Sequence, residues 1–322
     1  MIYICNINQF RDWPFRKPVI MSHKAGFVSI LGIPNVGKST LMNLLVGERL
    51  AIVSHKIQTT RHRILGIITG EGFQVVFSDT PGILKPHYRL HEAMMAEVYS
   101  ALGDADVILL VTETGEKPPD EVFLERLRRT RVPVIVVVNK IDLSTQPKVE
   151  DELSNWNRLL PGAVAIPVSA LHGFNVARVF DQILDVLPES PAYFPPDQLT
   201  DRSQRFFVAE IIREKILLNY AKEVPYSVEV AVDAFKEEEE IIRIKAFLYV
   251  GRESQKAILL GHQGKAIRKL GTEARKDIEE FLDRHVYLEL IVKVSKDWRE
   301  DEKALRRFGY ITEEEETNEN PF

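Results

Sequence analysis

An apolar run at residues 27–31 leads into Gly32-Ile33-Pro34-Asn35-Val36-Gly37-Lys38-Ser39-Thr40, and a helical pattern, 38–46, begins within that segment. A strand, a glycine-framed turn and a helix N-terminus in this order constrain the fold strongly, because such a turn belongs at the carboxyl edge of a sheet. Further strands are expected at 63–69, 73–78, 107–111, 132–138 and 165–168, with helices at 91–102, 120–129, 149–159 and 175–187. Gly70-Glu71-Gly72 makes a hairpin of the first two. Apolar strands alternating with helices predict an α/β fold, a doubly wound, mostly parallel sheet buried on both faces.

Three motifs fall at the expected ligand edge. Consecutive N–H groups from Gly32 to Gly37 can cradle phosphates, with Lys38 as a positive charge on the β- and γ-phosphates and Ser39 as a Mg²⁺ ligand. In Asp79-Thr80-Pro81-Gly82, the carboxylate suits the Mg²⁺ shell, and the Gly82 N–H can approach a γ-phosphate because no side chain intervenes. In Asn139-Lys140-Ile141-Asp142, the Asp142 carboxylate can accept from guanine N1–H and its exocyclic amine, while the Lys140 stem lies along the base. Adenine lacks that donor pair, and leaving the acceptor unpaired costs roughly 1–3 kcal/mol. Ser169-Ala170-Leu171 follows the last strand and is placed to offer a backbone N–H to the guanine oxygen. Together these predict binding of GTP and GDP with Mg²⁺.

The set resembles the translation-factor-related GTPases, and Gln58-Thr59-Thr60-Arg61-His62-Arg63 together with Asn35 resembles the Era branch. That resemblance implies a P-loop GTPase sheet and a switch threonine, Thr60 rather than Thr59, that ligates Mg²⁺ only with GTP bound. It assigns hydrolysis to Lys38, Thr60, Asp79, Gly82 and Asn35. In relatives such an asparagine helps hold K⁺, so K⁺-stimulated turnover is expected. Ile83 stands where Ras-like proteins carry the glutamine that orients water, so intrinsic hydrolysis should be slow. Ile33 replaces a residue that is often basic in the branch; nothing in the sequence explains it.

Pro188-Glu189-Ser190-Pro191 and Phe194-Pro195-Pro196 break the alternation. Beyond them come a helix at 205–219, strands at 227–235 and 241–249, a helix pair around 261–284 and a strand at 286–294, a compact α+β unit. Gly261-His262-Gln263-Gly264-Lys265 with Arg268 and Lys269 has the form of a KH-type clamp: glycines admit an RNA backbone and the next helix offers N–H groups and positive charge. Alone, Gly-x-x-Gly is also a plain helix-linking turn. Glu237 to Glu240 is expected as a solvated turn, and Phe206, Phe207, Ile211 and Ile212 as helix core. The resemblance extends over about 21–310 and implies binding to the 3′ end of small-subunit (16S) ribosomal RNA in 30S subunit biogenesis, a monomer, and a cytoplasmic place with peripheral inner-membrane association. The resulting domains are an extension at 1–20, a GTPase domain at 21–188, a linker at 189–204, a KH-type domain at 205–296 and a C-terminal segment with acidic tail at 297–322.

Bulk properties narrow the alternatives. At 322 residues the chain suits two domains, and its net charge of −5 does not advertise a nucleic-acid binder, so RNA must be met by a local patch. Cys5 is the single cysteine, which excludes an intrachain disulfide. No apolar run approaches the ~18 residues of a membrane span. The extension is read as an early start or a disordered arm, with a membrane- or partner-binding arm as the alternative. Competing functions are a phosphotransferase, which Asn139 to Asp142 argues against, a constitutive RNA scaffold with a structural nucleotide, and a membrane-linked signalling GTPase.

Overall fold

The protein is described by a computed structural model over residues 23–311, so the expectations for 1–20 and for the acidic tail from 312 onward lie outside the described residues. Strands β1 (Lys24–Leu31), β2 (Ile64–Gly70), β3 (Phe73–Asp79), β4 (Val107–Glu113), β5 (Val134–Asn139) and β6 (Val164–Pro167) form one sheet in the order β2-β3-β1-β4-β5-β6. Only β2 runs antiparallel, because the Glu71-Gly72 turn folds it straight onto β3. β1 has β3 on one side and β4 on the other, so the chain order reverses at β1 and opens a crevice at its carboxyl end.

Alternation along β4 supplies both faces. Leu109 and Val111 pack beneath helices α1 (Lys38–Val46) and α5 (Val176–Val186), which contribute Leu41, Met42, Val179 and Ile183. Ile108 and Leu110 pack against α2 (Arg89–Gly103), α3 (Glu121–Arg129) and α4 (Gln146–Leu159) through Val98, Phe123 and Trp156. Several boundaries differ from expectation, two of them because of a proline. Pro133 has no N–H to give a ladder, so β5 starts at Val134 and not at 132. Pro147 sits in the first turn of α4, where a missing N–H costs nothing, so that helix starts at Gln146 and not at 149.

The second unit comprises α6 (Gln204–Asn219), a short α7 (Val224–Ser227), β7 (Glu229–Glu237), β8 (Ile242–Val250), α8 (Glu253–Leu260), α9 (Lys265–Leu282), β9 (Val286–Val294) and α10 (Glu302–Arg307). β7 and β8 pair antiparallel through an exposed glutamate turn, while β8 and β9 pair parallel because α8 and α9 carry the chain back. The helix pair begins at Glu253, upstream of the expected 261, so Gly261 to Gly264 lies between the helices. Phe207 and Ile212 are buried in α6, whereas Phe206 and Ile211 are half-buried.

The segment between the units is strapped down. Gln74 on β3 accepts from the Tyr193 and Phe194 N–H groups at 2.7 and 2.9 Å and donates to the Phe194 carbonyl at 2.8 Å. Such a linker transmits orientation instead of swinging freely.

Candidate nucleotide site

The phosphate loop is shaped by positive φ. Gly32 (φ 148°), Asn35 (φ 67°) and Gly37 (φ 96°) turn successive N–H groups toward one concavity that ends on the α1 N-terminus. The space is tight: a Cβ on Gly82 would lie 2.7 Å from Pro34, so only glycine lets the Asp79 segment close over the loop. Lys38 is buried and donates to the Gly32 and Ile33 carbonyls at 3.1 and 3.0 Å. Burial pulls its pKa down to about 8, partly offset by the Asp79 charge.

Three oxygens meet beside it. Ser39 Oγ lies 2.9 Å from Thr60 Oγ1, and both hydroxyls donate to Asp79 Oδ2, at 2.7 and 3.2 Å. Asp79 is fully buried, which pushes its pKa up, and its other oxygen, Oδ1, has no hydrogen-bond partner. A buried orphan carboxylate oxygen amid hydroxyls is the donor set a hard divalent cation takes. Thr59 turns elsewhere, its hydroxyl donating to the Lys56 carbonyl. Thr40 is half-buried in the first turn of α1.

Several residues beside the site face away from it. Ile83 is 7% exposed and packed in the core with Leu31 and Leu110, while its N–H donates to the Gly32 carbonyl at 3.0 Å. The Thr80 hydroxyl donates to the Ile30 carbonyl at 2.8 Å, and Pro81 is buried. Val36 is a core residue whose carbonyl accepts from Asn139 Nδ2 at 2.8 Å. Asn139 Oδ1 accepts from the Ala170 N–H at 2.9 Å. Asn139 therefore braces the phosphate loop against the loop after β6.

Asp142 lies on the base side, where Ser169 Oγ donates to its Oδ1 and His172 Nε2 stands 3.9 Å from its Oδ2. Lys140, at φ 58°, pairs with Glu113. Within Ser169-Ala170-Leu171, the Ser169 N–H goes to the Phe174 carbonyl and that of Ala170 to Asn139, leaving the exposed Leu171 to supply a free N–H.

The switch segment beyond Thr60 is held by the second unit, a contact that no local pattern announces. Arg61 is 1% exposed; it donates to the Val228 carbonyl at 2.8 Å and to Glu229 Oε2 at 3.1 Å, and Tyr310 OH donates to the same oxygen at 2.7 Å. Burial raises the Glu229 pKa against the pull of Arg61. Arg213 of α6 donates to the Thr59 carbonyl, and Lys56 donates to the Leu217 and Tyr220 carbonyls at the α6 C-terminus. His62 stacks on Tyr310 with centroids 4.2 Å apart, and burial lowers its pKa to about 3.

The Gly-x-x-Gly loop joins α8 to α9. Gly261, Gln263 and Gly264 have φ of 67°, 52° and 75°; His262, Gln263, Lys265, Arg268 and Lys269 are exposed. Lys269 lies 3.7 Å from Glu273.

Residues 27–140 match the family described as 50S ribosome-binding GTPase, and 223–299 match the KH domain. The chain is 46% identical over 289 residues to GTPase Era of Geotalea daltonii, covering 89% of this chain and 97% of that protein. A variant of Aquifex aeolicus Era bound to GDP and aluminium fluoride superposes with TM-score 0.86 at 38% identity, over 90% of this chain and 100% of that one. Era in complex with MgGDPNP and nucleotides 1506–1542 of 16S ribosomal RNA superposes with TM-score 0.86 at 37% identity, with the same coverage.

Proposed function

The chain belongs to the Era family of GTPases, and from that premise we propose that it is a GTP-driven switch gripping the 3′ end of 16S ribosomal RNA during 30S subunit biogenesis. One observation carries the coupling. Thr60 stands at the phosphate side of the switch, while its neighbour Arg61 is buried in the second unit. A change at the γ-phosphate thus has one peptide bond to travel.

GTP occupies the concavity framed by Gly32 to Thr40, with Asp142 selecting guanine and the Leu171 N–H meeting its oxygen. Lys38 leaves its two carbonyls for the phosphates, whose charge would offset the burial that lowers its pKa to about 8. Ser39 and Thr60 would hold Mg²⁺ directly, with Asp79 in its shell; bound there, the ion neutralises charge on the β- and γ-phosphate oxygens. The Gly82 N–H senses the γ-phosphate. Ile83 lies in the core and cannot orient water, which supports a slow intrinsic rate.

Asn35 donates through Nδ2 to the His55 carbonyl at 3.0 Å. Its amide is thereby oriented with Oδ1 left to accept, and Asn35 would hold a K⁺ there, which would bring the positive charge an arginine supplies elsewhere. Hydrolysis is expected to run faster in K⁺ than in Na⁺ at equal ionic strength; equal rates would remove this role.

The units are taken as 21–188 for GTP, 189–204 as linker, 205–296 for RNA and 297–322 as the closing segment. Gly261 to Lys265, Arg268 and Lys269 receive the RNA backbone, the exposed His262 and Gln263 adding little fixed charge. The chain is expected to act as a monomer. No helix among the described residues is long and apolar enough to cross a membrane, so the association expected in the cytoplasm at the inner membrane would be peripheral.

The deciding experiment compares affinity for a 16S 3′-end RNA with GDPNP and with GDP bound. A difference of tenfold or more is expected. Identical affinities would leave a scaffold with a structural nucleotide.

A further inference from the structure

The outer face of the β7-β8-β9 sheet carries side chains that neither site uses. Along β8, Ile244, Ala246 and Leu248 turn inward to the helices, so Arg243, Lys245 and Phe247 turn outward, with Tyr287 and Lys293 of β9 beside them. Tyr287 lies opposite Arg243 in register and is 52% exposed.

The cations here are held by rings. Lys245 and Lys293 both stand over Phe247, their Nζ atoms 5.4 and 3.2 Å from its centroid, and the Arg243 guanidinium is 5.4 Å from that of Tyr287. Among the described residues neither lysine pairs with a carboxylate; Glu289 stands opposite Lys245 without bridging to it, and Glu238 pairs with Arg243. Two ammonium groups on one ring repel each other unless an anion joins them, and such a focus stands out on a chain of net charge −5.

Rings and cations interleaved on a pleated surface match a nucleic-acid strand, with phosphates at the cations and a base on an exposed ring. The place suits it as well. Helices α8 and α9, which flank the Gly-x-x-Gly loop, pack on β9, one of the sheet's two edge strands. RNA that runs on from that loop past β9 would meet this face.

We propose that this outer sheet face is a second RNA-binding surface, taking the phosphates of nucleotides that flank those held between Gly261 and Gly264, with Tyr287 as a stacking platform. It rests on the second unit being an RNA clamp.

The test uses the full chain, the double variant Lys245→Gln/Lys293→Gln, and Tyr287→Ala. Two RNA probes are used: a strand of about six nucleotides, sized to a clamp that takes four, and one of about forty that contains it. The double variant should bind the long RNA at least tenfold more weakly. Its salt dependence should flatten by about 1.4 in log–log slope, two phosphates at roughly 0.7 each. Tyr287→Ala should weaken the long RNA several-fold with the slope unchanged. Binding of the short strand and basal GTP hydrolysis should stay as in the parent, which also shows the variants folded. Unchanged affinity and slope for the long RNA overturn the proposal. So does loss of binding to phosphatidylglycerol vesicles with RNA binding intact, which would make the face a lipid site. If Gly264→Asp leaves both RNAs bound, the clamp assignment itself fails and the proposal falls with it, a pattern distinct from the other two.

Discussion

Asp142 is oriented before any base arrives, because Ser169 donates to one of its oxygens. Asp142→Asn places an amide donor against guanine's own donors. GTP affinity should fall by about 5- to 150-fold, corresponding to roughly 1–3 kcal/mol, while ATP competes better than before; nucleotide competition reads both. Ile83 makes the opposite case. Ile83→Gln would restore the Ras-like residue in sequence only, since the side chain sits in the core with Leu31 and Leu110. A buried amide without partners costs about 1–3 kcal/mol, so the melting temperature should drop and kcat should not rise. The chemistry proposed for Asp142, Lys38 and Ser39 was legible because each role needs a rare residue type at a set spacing. The bracing role of Asn139 was not, because its partners, Val36 and Ala170, come from distant segments.

At the scale of elements, the stretch 56–62 is the informative one. Its polar sequence reads as a mobile loop, yet it enters a buried network with Glu229, Arg213 and Tyr310. Removing one member of such a buried pair strands the other, at a cost of several kcal/mol. His62 makes the contact sensitive to acid. In the docked state it is neutral, its pKa lowered to about 3 by burial, with Glu210 opposing and Arg202, Arg213 and Arg61 reinforcing the shift. Undocked it titrates near 6.5, so protons favour the undocked or unfolded state. Stability is intact above pH 6.5 and is lost as pH falls from there toward 3, by about 1 kcal/mol at pH 5.5. The melting temperature of the parent should fall between pH 7.5 and 5.5 by more than that of His62→Gln; equal falls would contradict this. Element types were readable because periodicity and prolines act locally. The docking was not, since Arg61 and Glu229 lie far apart in the chain.

For the whole molecule, the C-terminal segment is the keystone. Trp298 is 1% exposed and its indole N–H donates to the Ser227 carbonyl at 2.9 Å, while Leu90 and Met94 of α2 share a core with Trp298, Leu305 and Tyr310. The segment from 298 to 310 therefore belongs to the GTP unit's surface as much as to the RNA unit's. Trp298→Ala should destabilise by about 3–5 kcal/mol in urea unfolding. It should also shrink the GDPNP-to-GDP difference in RNA affinity, which a purely local cavity would leave alone.

The chain's own order of residues determined the candidate ligand chemistry: a phosphate cradle, the carboxylate proposed to select guanine and the proposed glycine clamp are each built from neighbours, so short-range spacing specifies them. The sheet and helices followed for the same reason, through local periodicity. Only the tertiary structure decided which side of each element faces what. It turned Ile83 inward, gave the Ala170 N–H to Asn139, and buried Arg61 beneath Glu229. Those outcomes depend on long-range packing and on pairing every buried charge and hydrogen-bond donor, a balance set by the assembled fold and not by any window of sequence.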